Sequence, residues 1–297
     1  MGRAFLNGIE LNYHRLPSRG PEVVLVHGLA TSLAFWYFKI LPLFAPDYNL
    51  TLYDLRGHGR SGMPPSGYTT ADMADDLDAL LDHLGITNVH LVGHSFGGAV
   101  ALHYTVLHPV RVASLTLADA RIRSLQPTQR LADWPESETF KCILKQANPS
   151  APLDHPEMGS LFLEIVAEAQ VNGKPIQNAS ANVVLPFGWS GNKPSETALR
   201  WLQLVRTTTA RHDISASAGL TPEKISAVHN PVLAIFGERS NCLPSLEGIR
   251  RCIPDCKTAI VPQAGHFHPV TRPLYFGTVV RDFLRTAEAG KRHGAGA

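Results

Sequence analysis

Ser95 stands in Gly93-His94-Ser95-Phe96-Gly97-Gly98, after the apolar run Asn88–Val92 and before a segment of helical character that starts near Gly97. A serine with glycine two residues to either side, on a strand-to-helix turn, is held with its hydroxyl above a sheet edge. The turn is too tight for larger flanking residues, and N–H groups at a helix start favour negative charge there. The bare G-x-S-x-G pattern arises by chance; the strand before it and the helix after it make it specific. A Gly-rich turn with a surface serine is the bland alternative, and the context disfavours it. Gly93 and Gly97 are assigned to the elbow with His94, whose role is read as packing or turn formation.

A serine nucleophile needs a base. The chain has 14 histidines, so type alone says little. Position selects His266, in Ala264-Gly265-His266-Phe267-His268-Pro269, between the last strand-like and the last helix-like run. That placement returns it to the sheet edge that carries Ser95. An imidazole takes the hydroxyl proton and later hands it to the leaving group, because its pKa lies near neutrality. His268 is the rival and is read as a surface loop histidine.

The elements that must position these residues alternate. Strands are predicted at 4–6 and 9–14 around the Asn7-Gly8 turn, then at 22–26, 49–54, 88–93, 114–119, 231–237 and 257–261. Asn-Gly favours a type I′ hairpin, and the continuous apolar runs suit a parallel sheet covered on both faces. Helices are predicted at 70–84, where Met73, Leu77, Leu80, Leu81 and Leu84 form one stripe, at 97–108, at 245–252 and at 272–287. Such alternation predicts an α/β fold with a mostly parallel central sheet flanked by helices. From 121 to 228 the alternation stops, and only helix-like stretches appear, at 136–147, 156–172, 195–209 and 222–227.

Composition narrows the function. The 297 residues carry 27 basic and 25 acidic side chains, a net charge of +2, and only 18% are charged. No basic block offers itself to phosphates, so nucleic acid is not an expected partner. No apolar run reaches the length of a membrane span, and the first residues carry no secretion signal, so a cytoplasmic protein is expected. Cys142, Cys242, Cys252 and Cys256 are read as reduced thiols; Cys252 and Cys256 lack the spacing and the His partners of a zinc site. No metal and no cofactor are expected.

The chain resembles the α/β-hydrolase superfamily, in its lidded serine-hydrolase branch. The matching residues are the His27-Gly28 turn, Asp54-Leu55-Arg56-Gly57-His58-Gly59-Arg60-Ser61, the serine elbow and the Gly265-His266 loop. The resemblance implies a hydrolase core from 1–120 and 229–297, with 121–228 inserted as a helical cap. It implies an oxyanion hole from the backbone N–H groups of Leu29 and Phe96, and a scaffolding role for Asp54 and Arg56. Within the cap, Trp134, Phe140, Phe162 and Trp201 are expected mostly in the cap's own core, while Phe187 or Trp189 face the substrate. Arg121 and Arg123, at the entrance to the cap, are read as structural rather than as a greeting for a substrate carboxylate.

The third catalytic member departs from the common pattern. Many relatives place the acid a few residues after the strand that here ends at Phe236, but this chain reads Gly237-Glu238-Arg239-Ser240-Asn241, with Ser240 at the expected position. Some branches place it after the earlier strand, where this chain has Asp119. Asp119 is therefore the expected acid and Glu238, with Arg239 as a neighbouring partner, the fallback. The expected activity is cofactor-free hydrolysis of an ester, thioester or lactone of a small, largely apolar substrate, through an acyl-enzyme on Ser95. Carbon–carbon bond hydrolysis, or acyl transfer including release from a carrier-bound thioester, is the enzymatic alternative. A ligand-binding inactive homologue is the non-enzymatic one, favoured only by the vacant late acid position.

Overall fold

The computed structural model describes residues 1–174, 176, 184, 186–187 and 195–294. Its strands are β1 (Gly2–Leu6), β2 (Ile9–Leu16), β3 (Glu22–Val26), β4 (Asn49–Tyr53), β5 (Val89–His94), β6 (Val112–Ala118), β7 (Val232–Gly237) and β8 (Lys257–Val261). They form one sheet in the order β1-β2-β4-β3-β5-β6-β7-β8. The β1–β2 and β2–β4 pairs are antiparallel and the rest are parallel. The β1–β2 turn is at Asn7 and Gly8, both at positive φ (47° and 76°), as an Asn-Gly hairpin turn requires.

Helices α1 (Ala34–Tyr37) and α2 (Leu41–Phe44) precede β4, and α3 (Thr70–His83) and α4 (Phe96–Leu107) flank β5. Between β6 and β7 lie α5 (Ser137–Ala147), α6 (Met158–Val171), α7 (Glu196–Thr207), α8 (Ala210–Asp213) and α9 (Pro222–Ser226). Then come α10 (Leu243–Cys252), α11 (His268–Thr271) and α12 (Pro273–Gly294). Helix α3 shows why such a segment folds locally. Thr69 accepts the Asp72 N–H while Asp72 accepts the Thr69 N–H, a capping box, and Met73, Leu77, Leu80 and Leu81 turn inward.

The sheet has an apolar layer on each face because its strand residues alternate. Val24, Val26 and Leu91 pack on the α3–α4 side, while Val23, Leu25 and Val92 pack with Trp36, Phe44 and Phe276 on the other. A third apolar cluster is separate from both: Trp134, Ile143, Leu144, Met158, Phe162 and Val166, contributed by α5, α6 and the turn before them. Trp201 departs from the expectation that placed it there. It is 2% exposed and belongs to the main core, because α7 lies on the sheet domain: a Cβ on Gly57 would meet Leu204 Cδ1 at 2.6 Å. No helix among the described residues is long and apolar enough to cross a membrane.

Candidate active site

The position of Ser95 is set by backbone crowding. Ser95 links β5 to α4 with φ 54° and ψ −124°, a left-handed conformation strained for a residue with a Cβ. Its N–H donates to Ala118 O at the end of β6, which anchors the turn (2.9 Å). A Cβ on Gly93 would lie 2.4 Å from Gly97 O, and one on Gly97 would lie 2.3 Å from His27 O. Those two glycines are required by close approach, since neither has a positive φ.

His266 Nε2 lies 3.0 Å from Ser95 Oγ, and His266 Nδ1 lies 2.9 Å from Asp119 Oδ1. The three side chains come from the ends of β5 and β6 and from the loop after β8. Asp119 is fully buried with φ 51°. Its carboxylate also accepts the Gly237 N–H at 2.8 Å and the Ser240 hydroxyl. Ser240 thus occupies the place at the β7 end where an acid was expected, and donates to the acid that stands one strand away. Burial pushes the Asp119 carboxyl up, but the His266 hydrogen bond and charge, with His268 and the Gly237 N–H, hold it below the ordinary range. Glu238, the fallback, is exposed and accepts the Gln263 N–H at 2.7 Å, while His266 Nδ1 is paired with Asp119. Arg239, expected beside Glu238, pairs with Glu136 instead (3.0 Å).

Two histidines brace this arrangement. His94 is buried and donates through Nε2 to the His266 carbonyl (2.9 Å), while its ring stacks on Phe35 with centroids 4.5 Å apart. Burial holds its pKa well below the ordinary value, so it stays neutral. His268 is not a surface residue as expected. Pro269 starts a helical turn that directs the chain inward, and His268 is wholly buried, donating to Ile235 O at 3.1 Å and lying 3.6 Å from Asp119 Oδ2.

The two residues expected to give the oxyanion hole share one cavity with Ser95. Leu29 and Phe96 both line the cavity over Ser95, and neither N–H has an acceptor among the described residues. The loop bearing Leu29 is tied down by Asp54, which accepts the Leu33 N–H (2.7 Å), the Arg60 N–H (2.9 Å) and Asn12 Nδ2 (2.7 Å). Arg56 does not pair with Asp54; it forms a buried bidentate pair with Asp76 at 2.6 and 2.5 Å. The D-x-R-G segment is thus a double anchor.

The cavity has a volume of ≈ 190 Å³, small beside drug-sized pockets. One wall is the sheet edge with Gly28, Ser95 and His266; the other is Trp134, Phe140, Phe162, Leu163, Val184 and Pro186. Phe187, expected to face the substrate, is partly buried and packs against the apolar cores, and the wall beside it is Pro186. Trp189 lies outside the described residues.

Cys242 also lines the cavity, and no motif or spacing marks it. Its sulfur is 3.8 Å from His266 Nδ1, and its N–H donates to Ser240 Oγ at 2.9 Å. Asp119, Cys242 and His266 offer three potential metal-ligand atoms within 4.8 Å of one another, though the Asp119 and His266 atoms are already paired with each other. All four cysteines are unbridged.

This architecture has relatives. An Pseudomonas syringae pv. syringae protein provisionally named carbamate hydrolase RutD is 28% identical over 274 residues, 90% of this chain and 94% of its own length. The dihydrolipoyllysine-residue acetyltransferase component of the acetoin cleaving system of Pseudomonas putida is 30% identical over 249 residues, covering 83% of this chain and 59% of its own. The enol-lactonase of Burkholderia xenovorans LB400 shares the fold with a TM-score of 0.64 and 22% identity, over 96% of this chain and all of its own. The family model described as the alpha/beta hydrolase fold matches residues 21–273, and on that match, over a sheet and elbow of this form, the chain belongs to the α/β-hydrolase family.

Proposed function

We propose that this protein is a serine hydrolase that cleaves an ester, thioester or lactone through an acyl-enzyme on Ser95. One observation carries the reading: His266 bridges Ser95 Oγ at 3.0 Å and Asp119 Oδ1 at 2.9 Å through its two ring nitrogens. In that geometry Nδ1–H donates to Asp119 and bare Nε2 accepts the serine proton as Oγ attacks the carbonyl carbon. The C=O electrons move to oxygen, which the Leu29 and Phe96 N–H groups receive; a donor of this kind is worth about 3–4 kcal/mol in the transition state. His266 then gives its proton to the leaving oxygen or sulfur. Water, deprotonated by His266, then attacks the acyl carbon, and as the acyl–Oγ bond breaks His266 returns that proton to Ser95 Oγ.

Residues 121–228 act as the cap over this site. Their side chains supply the wall opposite Ser95, and α5 and α6 have their own apolar core to hold that wall. The relatives named for carbamate and enol-lactone hydrolysis support acyl transfer to water as the reaction class.

A fluorophosphonate probe tests the assignment. Ser95 becomes labelled in the folded protein, and p-nitrophenyl esters, thioesters or lactones turn over in a Ser95-dependent manner. A folded protein that leaves Ser95 unlabelled sinks the reading.

A further inference from the structure

The cavity is apolar in area but not neutral. Its wall carries the Arg and carboxylate side chains of Arg121, Arg123, Arg239, Glu136 and Glu157. Arg239 and Glu136 pair with each other. The other three form an unequal group, because Glu157 accepts from both Arg121 and Arg123. Burial pushes the Glu157 carboxyl up, and the two guanidiniums hold it below its ordinary pKa, so it is a single negative charge between two positive ones. Between 175 and 194 the sequence has Lys193 and no Asp or Glu.

The two arginines are not equivalent. Arg121 is used up by the protein: its Nε and Nη groups bond Glu157, Gln126 O and Pro127 O. Arg123 gives one N–H to Glu157, and among the described residues its other donors have no protein acceptor. It is 32% exposed, on the cavity wall. On the same wall, Ser124 Oγ and Trp134 Nε1 are buried polar atoms without a hydrogen-bond partner among the described residues. Arg123 and Ser95 line the same cavity, so one molecule filling it can touch both.

We propose that the substrate carries a free carboxylate, received by Arg123, a few atoms from the carbonyl that Ser95 attacks. This names the substrate class for the acyl-transfer reading above and rests on it. A planar guanidinium with idle N–H groups matches a carboxylate in charge and shape. The neutral remainder of the substrate fills the apolar space beside Trp134 and Phe162. Half-esters and half-thioesters of short dicarboxylic acids have this form.

The test compares a matched pair, mono-p-nitrophenyl glutarate and its neutral methyl ester. The wild-type protein turns over the acid with a kcat/KM about 10–100-fold above that of the methyl ester. Arg123→Gln collapses that ratio toward one, and Arg123→Lys restores part of it. The ratio is taken within one preparation, so partial misfolding cancels. Binding gives a readout that needs no turnover: Ser95→Ala takes up glutarate in preference to glutaramide by calorimetry, and Arg123→Gln added to it removes the preference. A wild-type ratio at or below one, or a ratio that Arg123→Gln leaves intact, overturns the carboxylate proposal while Ser95 labelling upholds the hydrolase reading. If neither ester turns over and Ser95 stays unlabelled, the hydrolase reading fails, and glutarate binding alone then decides for or against the anion site.

Discussion

The two walls of the cavity are built on different principles. The sheet wall takes Ser95, Asp119 and His266 from strand ends and the loop after β8, and each is fixed by backbone contacts: Ser95 N to Ala118 O, Asp119 N to Ile235 O, and the His266 carbonyl to His94. The opposite wall comes from α5, α6 and the irregular chain around them, and its side chains are fixed by packing on one another, as in the edge-to-face contacts of Phe140 and Trp134 (4.8 Å) and of Phe140 and Phe162 (5.5 Å). Parallel strands end at one edge whatever the loops do, so the reacting groups are placed by topology. The facing wall is placed by side-chain volume, which can change without disturbing the sheet. The contrast separates chemistry from substrate choice.

The most severe way to test the sheet wall is Ser95→Ala, which is expected to lower kcat by on the order of 10⁶-fold with the fold intact. Next comes the acid. Asp119→Asn keeps the shape but lets the imidazole hold the wrong tautomer, and kcat is expected to fall about 10⁴-fold. Glu238→Gln is expected to stay within about twofold of wild type. Steady-state kinetics on all three decides it. Should Glu238→Gln cost more than Asp119→Asn, the acid belongs to the β7 end and the sheet wall has been misread.

The same division explains what the sequence could disclose. Ser95 and His266 were legible because an elbow and a histidine after the last strand are local signals with a fixed topological meaning. Asp119 was legible only by comparison of two strand ends, once Ser240 was seen at the usual acid position. That Ser240 would donate to Asp119 depends on the β6–β7 register, which no local pattern encodes. His268 was misjudged because a loop histidine before a proline gives no sign of turning into the core. Phe187 reads as a cavity residue from its place in an aromatic loop, whereas Trp134, Phe140 and Phe162 line the cavity while also forming the α5–α6 core. An aromatic in a helical segment has the same pattern whether its ring faces core, cavity or both.

The facing wall is probed by Phe162→Ala. Phe162 is 6% exposed, and removing its ring costs about 3–5 kcal/mol where the cavity does not refill. That loss should fall on the α5–α6 cluster. Expected are a lower Tm, a KM raised more than kcat is lowered, and Ser95 labelling by a small fluorophosphonate within about threefold of wild type. A labelling rate that falls as steeply as kcat/KM would show that the two walls are one mechanical unit.

The smallest expected effect lies where the walls meet, at Cys242. Burial pushes the His266 imidazole down, while the Cys242 sulfur and Asp119 push it up, and the net direction is upward. The base must be neutral to take the Ser95 proton, so kcat/KM should rise with pH along a limb centred above the ordinary value of about 6.5. The linkage has the same sign: a raised folded pKa contributes stability that is full below about 6.5 and lost as pH rises through the folded value. Buried His58 and His268, lowered to about 3 and about 4, work in the opposite sense. Their contribution is full above about 6.5 and shrinks as pH falls below it toward those values, so unfolding by denaturant should be easier at pH 5 than at pH 7. Cys242→Ala removes one support of the imidazolium and leaves Asp119, so the activity limb should move toward lower pH. The exposed Cys142→Ala should leave it in place. A limb that ignores Cys242→Ala assigns the whole upward shift to Asp119, and with it the entire control of the base to the sheet wall.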